Sequence, residues 1–255
     1  FERVKDKVMG LKLYLNETTG NFLVSKNSLE NIFSEWSGRN KPILVHAEEK
    51  RVEDVINVVK KIRTPTHFCH ISLASELRMI LDTKEKGLPI TCGVTPHHLF
   101  LTEHDVKIFG PFGKMKPPLA SKKDVEFLWK NLKYIDVVES DHAPHTLQEK
   151  HGSSPVYGVP GLETTLGLLL LAVQKKRLFL ETVVKLLYDE PKKLFHIRDQ
   201  GKTYIELDPK KPFIVGSLWY ETKCAWSPFD GWELFGRVET VILRCKPVQL
   251  HAKVL

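Results

Sequence analysis

Short apolar runs that end in chemically capable polar residues recur five times in the first 142 positions of this chain, at residues 8–15, 42–46, 66–71, 89–94 and 135–142. Each is short and largely continuous in its apolar character, which predicts a buried parallel strand. Between them lie amphipathic stretches with helical spacing, over residues 28–36, 51–62, 75–86 and 122–132, the last opened by Ser121 as a cap. Strand alternating with helix predicts βαβ crossovers and a parallel sheet.

Beyond Asp141 the chain carries a Gly/Pro-rich loop at 152–161 and two further helical stretches, 162–175 and 180–187. From about Asp199 the pattern changes. Residues 203–207 and 238–243 read as antiparallel strands, with Pro209, Pro212, Gly216, Pro228, Gly231 and Gly236 at the turns. The expected division is a partial β/α barrel over 1–198 and a β-rich segment over 199–255.

A closed (β/α)8 barrel needs eight strands and collects its chemistry at their C-terminal ends. Five strands precede the β-rich segment here. The expected fold class is therefore α/β, a TIM-like (β/α)8 barrel short of about three strands at its front, with a small C-terminal β appendage. The start at Phe1, without an initiator Met, suits an excised piece.

Composition narrows the picture only a little. At 255 residues, 42% hydrophobic and 27% charged, with no repeat or low-complexity tract, the chain suits one large domain with an appendage. The formal charge of +7 is spread along helical faces without interleaved aromatics, which argues against nucleic acid as a partner. The first residues alternate charged with apolar and form neither a signal peptide nor a membrane span. Four cysteines without CxxC spacing suit a reducing compartment, so cytoplasm is expected.

The strand ends carry the candidate chemistry. His46, His70, Asp141 and Lys12 stand where barrel strands would aim side chains at a common point, the arrangement of a barrel metal site. A single buried His is more often a hydrogen-bonded core residue than a ligand, but three strand-end ligands with a lysine shift that balance. Lys12 lies in the run Gly10-Leu11-Lys12-Leu13-Tyr14-Leu15, where an unpartnered ammonium would cost several kcal/mol. Either a carboxylate pairs with it, or it loses its proton and is carboxylated to a carbamate that bridges two metals.

Six strings make a specific resemblance: Gly10 to Thr18 (GLKLYLNET), Val45 to Glu48 (VHAE), Cys69 to Ser72 (CHIS), Thr95 to Leu99 (TPHHL), Ser140 to Thr146 (SDHAPHT) and Gly158 to Thr164 (GVPGLET). In order and spacing the chain, from Gly10 to Val248, resembles dihydroorotases of the amidohydrolase superfamily, above all the dihydroorotase domain of animal multifunctional pyrimidine-synthesis proteins. The resemblance implies the zinc-dependent, reversible cyclisation of N-carbamoyl-L-aspartate to L-dihydroorotate in pyrimidine synthesis.

It also implies two zinc ions bridged by carboxylated Lys12, with His46 and His70 on the more buried ion and Asp141 on the other. Asp141 would also move the proton, from the attacking hydroxide to the leaving amide nitrogen. Thr18 matches a loop threonine that closes over substrate, His145 a position that holds the substrate carboxylate, and Gly158 a loop whose backbone contacts the ring. Lys116 stands where animal-type enzymes carry a substrate-contacting arginine, keeping the charge without the bidentate fork. The His-x-His pair that the family places before the lysine lies outside this chain, and Gly93 stands where the animal domain has a glutamate. Cys69 reads as a small core residue.

Partners implied are the small-molecule substrate, a second copy in a homodimer and aspartate transcarbamoylase; nucleic acid and membrane are not expected. Two other readings compete. Hydantoinase or allantoinase would share the barrel, lysine and zinc ligands, and His145 after Ser-Asp-His-Ala-Pro favours a carboxylate-bearing ring instead. A non-catalytic dihydroorotase-like scaffold subunit typically loses ligands, whereas this chain keeps each one it is long enough to contain.

Overall fold

The computed structural model describes residues 3–4, 6–20, 22–217 and 220–248. Its central layer is a five-stranded parallel sheet formed by β1 (Leu11–Tyr14), β2 (Ile43–His46), β3 (Thr66–Phe68), β4 (Ile90–Val94) and β5 (Val137–Val138), ordered as in the sequence. All four pairings are parallel, with Leu13 opposite Val45, Val45 opposite Phe68, Phe68 opposite Cys92 and Val94 opposite Val138. Because the connections all run the same way, the C-terminal ends of all five strands point to one rim. The five expected strands and their order are present, each shorter than its apolar run because the run continues into the functional loop.

Helices α1 (Leu29–Trp36), α2 (Lys50–Ile62) and α3 (Ala74–Glu85) supply the first three crossovers. The fourth contains α4 (Pro96–Phe100), α5 (Glu103–Phe109) and α6 (Lys122–Lys130). Ser121 caps α6, accepting from the Asp124 amide, as its sequence predicts. The core between sheet and helices is continuous: Phe33, Trp36, Ile43, Val55, Phe68, Ile80 and Leu128 are all fully buried in it. At ~25 cal/mol per Å2 of apolar surface removed from water, such side chains supply most of the cohesion that keeps the rim in register. Lys26 and Arg51 hold the nearly buried carboxylate of Asp54 across the α1/α2 contact, at 2.5 and 3.1 Å, and lower its pKa below the usual range.

Three short helices lack a periodic apolar face, and the sequence pattern does not predict them: α4, α5 and α7 (Leu147–His151). Each starts with a cap. Thr95 accepts from the His98 amide with Pro96 at the first helical position, and capping boxes pair Thr102 with Asp105 and Thr146 with Glu149.

After α8 (Leu162–Gln174), the expected helix 180–187 is α9 (Leu180–Val184) running into a π-turn over Lys185–Asp189, and α10 (Glu190–Leu194) follows beyond the expected range. The remaining strands form two small antiparallel sheets. One orders β10 (Lys246–Val248), β9 (Thr240–Leu243) and β6 (Tyr204–Glu206); the other pairs β7 (Pro212–Ile214) with β8 (Glu233–Phe235). Leu168 and Leu171 of α8 share a second core with Leu101, Met115, Val215, Trp226, Phe229 and Leu234. No helix among the described residues is long and apolar enough to cross a membrane.

Candidate active site

One cavity at the rim is lined by all eight residues singled out from the sequence: Lys12, Thr18, His46, His70, Lys116, Asp141, His145 and Gly158. They come from six separate stretches of chain, brought together by the strand ends and by the loops that carry Lys116 and Gly158. His46 closes β2, His70 follows β3 by two residues, Asp141 follows β5 by three, and Lys12 points from the middle of β1.

Two of these residues sit in backbone conformations that side chains resist. His70 has φ +40° and Asp141 has φ +42°. Left-handed backbone is costly at non-glycine positions and persists where surrounding structure enforces it, commonly at functional sites.

The two histidines face each other. His46 Nδ1 lies 3.0 Å from His70 Nε2, both rings are buried, and Glu48 Oε1 sits 2.9 Å from His46 Nε2. Glu48 can only accept there, which places the proton on His46 Nε2 and turns the Nδ1 lone pair toward His70. If His70 Nε2 donates to that lone pair, His70 Nδ1 is an acceptor without a partner, and it is indeed buried and unpaired among the described residues. If His70 Nε2 instead presents its own lone pair, only a cation set against both nitrogens satisfies the pair. Burial, with the charges of Lys12 and His46, pushes the His70 pKa well below the usual value, so the ring is neutral and able to ligate. The pair therefore fits a bound metal of zinc type, to which imidazole nitrogen and carboxylate are natural donors.

Lys12 differs from its sequence reading. Its apolar run predicts a core lysine, yet the residue as a whole is exposed, on β1, an edge strand of the five-stranded sheet. The tip is nevertheless crowded: Nζ donates to Cys69 Sγ at 3.0 Å and lies 5.2 Å from the Tyr14 ring centre. Burial of the tip works to lower its pKa, but Cys69, Glu139 and Tyr14 outweigh it and hold the group above its usual value. Cys69 is buried, as read, but is also the partner of this ammonium; burial first, then the Glu139 charge, pushes its thiol up to about 12.

Glu139 is the main residue the sequence reading missed. Its Oε1 accepts the His70 amide at 2.6 Å and lies 3.7 Å from His67 Nε2. Burial would raise its pKa, but His67, the His70 amide and Lys12 bring it below the ordinary range. A metal-capable cluster of His67, Cys69 and Glu139 results, with ligand atoms within 4.8 Å of one another. Gly93 explains how the carboxylate fits: a Cβ there would stand 2.1 Å from Glu139 Oε1. Where the sequence resemblance leaves a glutamate missing, the neighbouring strand supplies a carboxylate. The one signal in the sequence is that Glu139 directly follows the apolar pair Val137-Val138 of the fifth run and stands two residues before Asp141.

The far wall is built by loops. Lys116 Nζ lies 3.8 Å from Glu48 Oε2 and 5.6 Å from the Tyr157 ring centre. Thr19 Oγ1 donates to the Tyr157 carbonyl at 3.0 Å, fastening the loop that carries Thr18 to the loop that carries Gly158. His145 is held by its own carbonyl, which accepts from Trp226 Nε1 at 2.7 Å. Asp141 makes no hydrogen bond among the described residues; burial and then the Glu139 charge raise its carboxyl pKa.

A parallel sheet whose strand ends converge on one polar rim is the arrangement of a β/α barrel, and in fold the chain matches amidohydrolase structures with a TIM-barrel core. Within that class the chain is dihydroorotase-like in sequence. It is 41% identical over 254 residues to the multifunctional protein CAD of Squalus acanthias, covering 99% of this chain and 11% of that protein. It is 38% identical over 215 residues to the dihydroorotase of Pyrococcus furiosus, covering 82% of this chain and 51% of that one. A solved structure of the inactive dihydroorotase-like domain of the Chaetomium thermophilum CAD-like multifunctional protein matches with a TM-score of 0.79 at 27% identity, covering 96% of this chain and 68% of that one. The chain thus spans about half the length of the single-function relative and about a tenth of the multifunctional one. No protein-family model matches it.

Proposed function

We propose that this segment carries the catalytic core of a dihydroorotase, opening and closing the ring between L-dihydroorotate and N-carbamoyl-L-aspartate. The observation that carries the reading is the convergence of Lys12, His46, His70 and Asp141 with Thr18, Lys116, His145 and Gly158 on one cavity. His46 and His70 would hold the more buried zinc, Asp141 a second zinc, and carboxylated Lys12 would join the two. Bound zinc would supply the Lewis acid that polarises the ring carbonyl and the positive charge that favours loss of the Lys12 ammonium proton and holds the anionic carbamate formed with carbon dioxide.

The protein's own groups do the rest. Asp141 Oδ atoms, with a raised affinity for protons, take the proton of the attacking water and return it to the leaving ring nitrogen. Lys116 and His145 offer positive charge and N–H donors to the substrate carboxylate. The Gly158 backbone borders the ring, and the Thr18 loop, fastened through Thr19 to Tyr157, excludes water from it.

On this reading residues 199–255 form the β-rich appendage. The multifunctional relative supports an assembly with aspartate transcarbamoylase, and a homodimer is equally in keeping. The free thiols of Cys69, Cys92, Cys224 and Cys245 support a cytoplasmic setting.

A substrate panel tests the choice within the class. The full-length natural protein with zinc should open L-dihydroorotate at least about a hundredfold more efficiently than hydantoin or dihydrouracil, since unpaired buried polar groups reject the analogue lacking a carboxylate. Preference for hydantoin would overturn it. A second reading, a non-catalytic scaffold, draws on the inactive Chaetomium domain at 27% identity. Against it stands the retention here of both histidines, the lysine and the aspartate in one cavity.

A further inference from the structure

Lys150 is a lysine with no exposed surface, and nothing in the chemistry above uses it. It sits on the short helix α7, facing inward. Its Nζ donates to three main-chain carbonyls, those of Lys114 at 3.1 Å, Val156 at 3.0 Å and Gly158 at 3.0 Å, and lies 5.5 Å from the Trp226 ring centre. Among the described residues no carboxylate is paired with it. A buried ammonium without a counter-ion is tolerated only when hydrogen bonds to carbonyl dipoles replace its water shell, and here all three N–H donors are used.

The three carbonyls belong to two separate segments of the cavity wall. Lys114 precedes Lys116 by two residues, and Val156 and Gly158 lie in the loop 152–161, which has exposed residues at 152–154 and little regular structure. A further bond closes the ring of contacts: the Gly158 amide donates to the same Lys114 carbonyl at 3.0 Å. The Trp226 ring that lies beside Lys150 also holds the His145 carbonyl. Three cavity-lining elements, those of Lys116, His145 and Gly158, are thereby tied to one cation. Burial, then the charge of Lys114, lowers the ammonium pKa to about 8, which leaves it charged at neutral pH.

We infer that Lys150 is a positioning residue for the substrate wall: its ammonium fixes the backbone around Gly158 against the Lys114–Lys116 segment, and so sets affinity for the ring without taking part in the chemical step. The inference rests on the dihydroorotase reading for the identity of the substrate, and on the coordinates alone for the fixed loop. Removing the charge leaves three carbonyls facing an apolar tip, and the loop must open to find water for them.

The test is Lys150→Met in the full-length natural protein loaded with zinc, read by steady-state kinetics on L-dihydroorotate, by zinc content and by hydrogen exchange of the peptide spanning 152–161. The expected result is a KM raised about tenfold or more, from loss of charge-assisted hydrogen bonds, with kcat changed less than about threefold. Zinc content stays unchanged, and exchange quickens in 152–161 while the peptides of the parallel sheet exchange as before. An unchanged KM, or a fall in kcat of the same size as the rise in KM, overturns the inference. If the unmodified protein opens no dihydroorotate, the functional reading fails by itself, and exchange in 152–161 decides the role of Lys150: quickened exchange upholds the fixed wall and unchanged exchange removes it. Should Lys150→Met fail to fold, Lys150→Gln is read the same way; if neither folds, Lys150 supports the whole fold and the inference is overturned.

Discussion

His46 Nδ1 and His70 Nε2 stand 3.0 Å apart at the ends of neighbouring parallel strands, with Glu48 fixing the tautomer of the first ring. Two buried imidazole nitrogens at that distance suit a shared cation, and His70 Nδ1 is without a hydrogen-bond partner among the described residues. Replacing His70 with Ala should abolish tight zinc binding and lower turnover by about 1000-fold or more, because both the Lewis acid and its nucleophile are lost. Zinc retained at wild-type affinity in His70→Ala would show that the pair is not the ligand set.

Asp141 separates chemistry from folding. Its left-handed backbone, φ +42°, suits Asn nearly as well as Asp, whereas Ala pays about 1 kcal/mol there. Asp141→Asn should therefore keep the melting temperature within a few degrees and lose turnover by ~100-fold to ~10,000-fold. Comparable melting losses in the Asn and Ala variants would contradict this account of the backbone.

Much of this was legible in the sequence, and the failures have physical causes. The five strands were visible because parallel strands covered by helices show as largely continuous apolar runs, and His46, His70 and Asp141 were noticed as candidates because they stand at or close to the ends of three of those runs. Lys12 is more exposed than its apolar run suggests because β1 lies at the edge of the sheet, a position the run itself does not report. Glu139 escaped notice because its meaning depends on an empty space in another strand, at Gly93. Nothing in the sequence marks Lys150, because only the folded loop supplies its three carbonyls.

The space at Gly93 is itself testable. A Cβ would come within 2.1 Å of Glu139 Oε1, so Gly93→Ala must push the carboxylate away from His67 and the His70 amide. Groups that orient metal ligands are typically worth 10–100-fold in affinity, and a loss of about tenfold in zinc affinity is expected for both Gly93→Ala and Glu139→Gln. Unaltered zinc affinity in both variants would separate Glu139 from the site.

Gly158 has φ +123°, and a Cβ on it would lie 2.5 Å from the Ala143 Cβ. Gly158→Ala should cost roughly 1–3 kcal/mol of strain. The strain should be relieved by moving the loop, so KM rises more than stability falls. Parallel kinetics and thermal melts would check the order of these effects.

Acid should destabilise the fold through His97 and His98. Burial pushes the first well below its ordinary 6.5 and the second down to about 4. Between those values and 6.5 the unfolded chain binds protons that the folded chain refuses. Their contribution to stability is therefore complete above pH 6.5 and is lost as pH falls below it, at up to about 1.4 kcal/mol per pH unit for each histidine. Denaturant titrations at pH 7.5, 6.5 and 5.5 measure the slope, and His97→Leu should remove about one proton's share of it. A slope identical in His97→Leu would place the acid sensitivity elsewhere.

The most direct test of the central claim is zinc-dependent ring opening of L-dihydroorotate by the full-length natural protein, with Asp141→Asn alongside. The account predicts turnover that chelation abolishes and zinc restores, and that Asp141→Asn lacks while still binding zinc through His46 and His70. Zinc bound by the unmodified protein with no ring opening would contradict it and leave the scaffold reading in its place.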